Sequence, residues 1–150
     1  MYRQNYDYRQ IQEGLFNALK GLVDECFITS RPKIDGNNPK SYIVIRMSSG
    51  IRDRGDTYQT ARALVHIFVR DKEGGVEDAV TLDKITNNVC NLCPLIQPRF
   101  TAWNPNLIAS GEDLGFHYHI LQLSITVNKK TNSEIIIPED LDNKFLFDNY

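Results

Sequence analysis

The 150-residue chain is long enough to bury a core without metal or disulfide staples. Its 41% apolar and 10% aromatic content is that of an ordinary folded domain, and 17 basic against 19 acidic residues leave a formal charge of −2. That balance gives no electrostatic reason to seek nucleic acid and argues against a sequence-reading DNA binder. No apolar run approaches the roughly 20 residues that span a bilayer, and "MYRQNYDYRQ" lacks the apolar core of a secretion signal. Three cysteines, an odd number, fit a reducing compartment better than a disulfide framework. The expectation is one domain made in a cytoplasm, with no membrane partner.

In chain order, Tyr8, Ile11, Leu15, Phe16, Leu19, Leu22 and Val23 recur at three- and four-residue steps, which predicts an amphipathic helix over 7–25. "CFITSR" (26–31) reads as a short strand and "PKIDGNNPK" as a turn-rich loop. "SYIVIRMS" (41–48) is a β-branched strand with Tyr42, Val44 and Arg46 on one side and Ile43, Ile45 and Met47 on the other. After the charged loop "SGIRDRGDT", residues 60–71 are apolar on both faces, as a central strand would be. Past Gly74 and Gly75, the series Val76, Val80, Leu82, Ile85, Val89 and Leu92 predicts a second helix, stopped by Pro94. Residues 95–112 are weakly patterned, a strand or an irregular arm. "FHYHILQLSITVN" (116–128) is the clearest strand, with Leu121, Leu123, Ile125 and Val127 facing a core and Gln122, Ser124 and Thr126 turned away. The predicted class is α+β: a mostly antiparallel sheet of about four to five strands, two flanking helices and terminal arms. The predicted division is one domain over 1–128 and an extension over 129–150.

Few residues suggest chemistry. "FVRDKEGGVEDAV" has the outline of a phosphate loop, yet Glu77 and Asp78 stand where an anion would sit, and neither GxxxxGK[ST] nor GxGxxG is present. The glycines therefore read as a turn that needs unusual backbone angles. Cys90 and Cys93 have redox or zinc spacing but lie at the end of a helix, where the dipole disfavours thiolates. With His117 and His119, which share a strand face, they form a weak candidate zinc set; the simpler reading packs the thiols as small hydrophobes. Arg52, Asp53, Arg54 and Asp56 make a mixed-sign loop tip, a solvated turn or a contact loop. Glu73, Glu77, Asp78 and Asp83 read as a wet helix face, and no GxSxG or HExxH is found. No catalytic residue, cofactor or enzymatic activity is expected.

The chain ends carry more. Tyr2, Tyr6 and Tyr8 crowd the amino terminus, and "IIIPEDLDNKFLFDNY" brings Phe145, Phe147 and Tyr150 beyond the last core strand. Aromatic anchors of this kind dominate protein interfaces. They either fold back on their own domain or clasp a neighbour.

The helix "IQEGLFNALKGLV", the paired strands of "SYIVIRMSSGIRDRGDTYQTARALVHIFVRD", the glycine-turn helix "GGVEDAVTLDKITNNVCNLC" and the closing strand "GFHYHILQLSITV" together resemble the tail terminator or tail-completion proteins of tailed bacteriophages. The resemblance covers about residues 8–128 as a pattern, and the extension from Lys129 departs from compact members. It implies a non-enzymatic virion protein of the tail or neck, assembled in the host cytoplasm. Such a subunit forms a homo-oligomeric ring and meets other neck, portal or tail proteins, while DNA passes through its centre unread. By the same resemblance the loop from Ser49 to Thr57, with Arg52, Arg54 and Asp56, lines the channel or meets the next ring. Tyr2, Tyr6, Phe145, Phe147 and Tyr150 hold neighbours. The alternatives are a small cytoplasmic adaptor and a Cys/His metal-binding protein.

Overall fold

The computed structural model describes residues 2–31, 34, 36, 38–54 and 58–128, with side chains described from Tyr8 to Val127. Helix α1 (Tyr2–Leu19) runs through a short 3-10 turn (Lys20–Leu22) into strand β1 (Glu25–Ile28). Strands β2 (Ser41–Met47), β3 (Arg52–Asp53) and β4 (Tyr58–Arg70) follow, then helix α2 (Ala79–Asn91). Strands β5 (Leu95–Ile96), β6 (Phe100–Asp113) and β7 (Phe116–Asn128) complete one sheet of order β1-β2-β4-β7-β6-β5, with β3 also pairing β4. The class is α+β as expected.

Two details of the sheet differ from expectation: among the described residues it has seven strands instead of four to five, and it is mixed, because β1 lies parallel to β2. The count rises because β3 and β5 are two-residue pairings too short to show periodicity, and because residues 100–113 form a full strand. The parallel pair arises because the turn-rich loop after β1 carries the chain back to the end where β1 began, so that Glu25 pairs with Tyr42 and Ile28 with Ile45.

Strand β4 is central, as its apolar run predicts. It pairs with β2 and β3 along one edge and, without a break from Tyr58↔Asn128 to Arg70↔Phe116, with β7 along the other. Both helices lie on one face. There Ile11, Leu15 and Leu19 of α1 and Leu82, Ile85 and Val89 of α2 pack on Ile43, Ile45, Val65, Ile67, Leu121, Leu123 and Ile125. Gly14 lets α1 approach β6 closely, since a Cβ there would lie 2.7 Å from the Phe100 ring. Helix α2 begins at Ala79, later than the apolar series from Val76 suggests. Asp78 caps it by accepting from the Thr81 amide at 3.2 Å, and Val76 and Val80 are 58% and 76% exposed.

Among the described residues no helix covers the opposite, open face. At one end it carries a small second core, in which Tyr42 stacks on Phe68 with centroids 4.5 Å apart and meets the edge of Phe116 at 5.2 Å. Arg31 and Ile34 of the β1–β2 loop close over this cluster, the Arg31 guanidinium donating to the Tyr42 hydroxyl at 2.6 Å.

Strand β6 explains its own weak pattern. Against β7 it holds two one-residue bulges, between Trp103 and Asn106 and between Leu107 and Ala109. Each extra residue reverses which face the following side chains point to, so the period of two is broken twice. The β6–β7 hairpin closes through Leu114 and Gly115, whose φ angles of +47° and +87° suit a tight two-residue turn.

Candidate functional site

The glycine turn is structural. Gly74 and Gly75 hold φ of +84° and +79°, and the turn closes on itself as the Gly75 amide donates to the Lys72 carbonyl and the Lys72 amide to the Val76 carbonyl. With Asp78 on the helix cap, the first amides of α2 face a carboxylate of their own chain, as the sequence suggested.

Cys90, Cys93, His117 and His119 are not brought together as metal ligands, and among the described residues no cluster of His, Cys, Asp or Glu could hold a metal ion. Thr86 donates its hydroxyl proton to the Leu82 carbonyl, so His119 Nδ1 is the donor in its 2.9 Å contact with Thr86 Oγ1. Both thiols of the CxxC pack beside the main core, and burial pushes them above the ordinary thiol range, as it pushes Cys26 up to about 11. They are protonated packing groups at neutral pH.

His117 makes a short polar contact at this end of the sheet. Its Nδ1 lies 2.6 Å from Asp71 Oδ1, just after β4, and its Nε2 lies 3.8 Å from Glu112 on β6. The hydrogen bond to Asp71 raises the His117 pKa, aided by the charges of Asp71, Glu77 and Glu112 against the opposing effect of burial. The contact is an ion pair fastening β7 to the end of β4 when the imidazole is protonated. A raised folded pKa means its stabilisation is complete below the unfolded value of about 6.5 and is lost as pH rises through the folded pKa. His117→Gln is therefore expected to lower the thermal midpoint below about pH 6 and to matter progressively less as pH rises beyond the ordinary histidine value of about 6.5. A midpoint difference that does not change with pH would remove the ion pair from this account.

Of the contact residues expected from sequence, Arg52 and Arg54 are exposed at β3 and point to the open face, where Arg54 Nε donates to Thr60 Oγ1 at 2.9 Å. The side chains of Tyr2 and Tyr6, and residues Asp56, Phe145, Phe147 and Tyr150, lie outside what the structure describes, as does the extension over 129–150.

One exposed apolar surface escaped sequence reasoning: the outer edge of β6. Short β5 pairs only with Thr101 and Ala102, which leaves the edge from Trp103 to Asp113 unpaired among the described strands. Trp103, Leu107 and Ile108 are 46%, 51% and 47% exposed along it. Pro105 and the two bulges interrupt the edge as a backbone ladder, so it offers apolar side chains more than a continuous set of amides. At the other margin of the sheet stands β1, a short four-residue strand, Glu25–Ile28, in which only Glu25 is exposed. The lone signal for the β6 edge in the sequence was Trp103, whose partners depend on the bulges.

No helix among the described residues is long and apolar enough to cross a membrane. No protein-family model matches the chain, and no curated protein matches it.

Proposed function

We propose that the chain is a non-enzymatic structural subunit of a tailed-phage particle, a tail terminator, tail-completion or head–tail connector protein. In this reading copies close head-to-tail into a ring through which DNA passes. The observation that carries it is the pair of unlike sheet margins, the apolar β6 edge on one side and the short β1 edge on the other. A ring built by one repeated contact needs two different surfaces on each subunit, and a sheet with dissimilar opposite margins supplies them. The order of elements in the sequence, which resembles that of that family, adds support. Other neck, portal or tail proteins are the further partners, and the virion is the place where the protein acts.

The test is the mass of the purified chain by light scattering over a wide concentration range, with electron micrographs of the same sample. Closed rings are expected. Leu107→Lys with Ile108→Lys, which puts two cations on the exposed edge, is expected to convert them to monomers while leaving the far-ultraviolet circular dichroism unchanged, because neither residue belongs to the core. Rings that persist in the double variant would exclude the β6 edge as the contact. A monomeric wild type, alone and mixed with portal or tail-tube protein, would overturn the reading.

A further inference from the structure

The half of the open face nearest β3 gathers Arg46, Arg52, Arg54 and Arg62, all exposed. Their convergence follows from register. Arg62 stands two residues from Thr60, which pairs with Arg52, and two from Leu64, which pairs with Arg46. From Leu64 to Thr60 the strand advances about 13 Å, which spans several phosphates of a nucleic-acid strand at about 3.4 Å of rise each. Beside them a cleft of about 290 Å³ is lined by Arg52, Arg54, Arg62, Thr60, Ser124 and Trp103. The indole of Trp103 is held there by its Nε1 donating to Thr126 Oγ1 at 3.0 Å.

No carboxylate among the described residues lines this cleft. Asp53, between two of the arginines in sequence, pairs with Gln59 on the helix side of the sheet and accepts from Gln59 Nε2 at 2.8 Å. Among the described residues, the acidic groups that share the open face lie at its far end, with Glu25 opposite Tyr42 and Asp113 bound to Arg31 at 3.5 Å. The formal charge of −2 thus conceals a segregated surface. Guanidinium groups, hydroxyl donors and an aromatic ring on a sheet face that no described helix covers are the groups that hold a phosphodiester backbone irrespective of sequence.

We infer that this half of the open face binds the phosphodiester backbone of nucleic acid. The inference rests on the assembly reading for where the nucleic acid is met. The contact itself belongs to a single chain, so DNA binding and ring formation are measured separately and each can fail alone.

Fluorescence anisotropy with a labelled single-stranded oligonucleotide, and with the same sequence as a duplex, tests it across a salt series. The wild type is expected to bind at low ionic strength, with affinity falling as salt rises. Replacing Arg52, Arg54 and Arg62 together by Gln is expected to weaken binding at least about tenfold and to flatten the duplex salt slope by about 0.9 per arginine removed. The corresponding Lys variant is expected to keep the slope, and Lys84→Gln, on exposed α2, to change nothing. If the triple Gln variant does not fold, Arg52→Gln with Arg54→Gln at the sheet margin carries the same test. Light scattering on each variant reports assembly independently. The inference is overturned by a wild type that shows no salt-dependent binding to either form, by a folded Gln variant that binds as tightly as the wild type, or by equal loss in Lys84→Gln.

Discussion

Tyr42→Ala is expected to remove about 3–5 kcal/mol of unfolding free energy, the range for deleting a buried aromatic ring. The residue is fully buried although it faces the side of the sheet that no described helix covers. Its ring is sandwiched against Phe68 at 4.5 Å with an interplanar angle of 8°, meets Phe116 at 5.2 Å and Phe27 at 6.0 Å, and supports the loop that returns from β1. Removing it opens a cavity that Phe68 and Phe116, fixed on separate strands, cannot refill. Tyr42→Phe keeps the ring and loses only the contact with Arg31, so about 0.5–1.5 kcal/mol is expected. Urea unfolding of both variants checks the pair. A loss under about 1 kcal/mol for the Ala variant would mean that the aromatic cluster stands outside the cooperative fold.

The second large effect separates two apolar residues on one helix. Leu82→Ala is expected to cost about 2–5 kcal/mol, whereas Val80→Ala should stay within about 0.5 kcal/mol. Leu82 is 1% exposed and packs with Ile85 and Val89 on β4 and β7, while Val80, two positions earlier, is 76% exposed. Both belong to the apolar series that marks α2 in the sequence, and only the helix start separates them. Because Asp78 caps the helix, Val80 falls in the first turn and rotates away from the sheet. Equal losses in the two variants would show that the first turn packs against something else.

Such boundary effects describe what was legible in the sequence. Alternation in residues 116–128 located β7 and its core face residue by residue, and the two-sided apolar run of β4 announced a central strand. Both signals are strong because long unbroken pairing forces a strict period. Strand β6 was hidden for the opposite reason, its period being reversed at two bulges. The second core was half visible: Tyr42, Val44 and Arg46 were correctly placed on one face, but Phe116 belongs beside Tyr42 only through β4, which joins strands more than sixty residues apart in sequence. The arginine cleft was invisible to composition, since it depends on which face each arginine takes and on Asp53 taking the other. The Cys/His set failed in the informative direction: shared strand face and CxxC spacing were real, yet each imidazole already had a closer partner in Thr86 or Asp71.

Among the described strands β7 is the last in sequence, yet it lies between β4 and β6 at the middle of the sheet. During synthesis, β4 emerges with one long apolar edge open and waits until more than forty further residues have been made before its partner exists. Over that interval an edge rich in Val, Ile and Phe is a template for the wrong strand, including β4 of another nascent chain. Pairing so distant in sequence is also slow, because the loop between the strands must close before any contact rewards it. The protein is therefore expected to gain disproportionately from chaperones and from low expression temperature, and its yield should be governed by how fast residues 116–128 reach β4 once they are made.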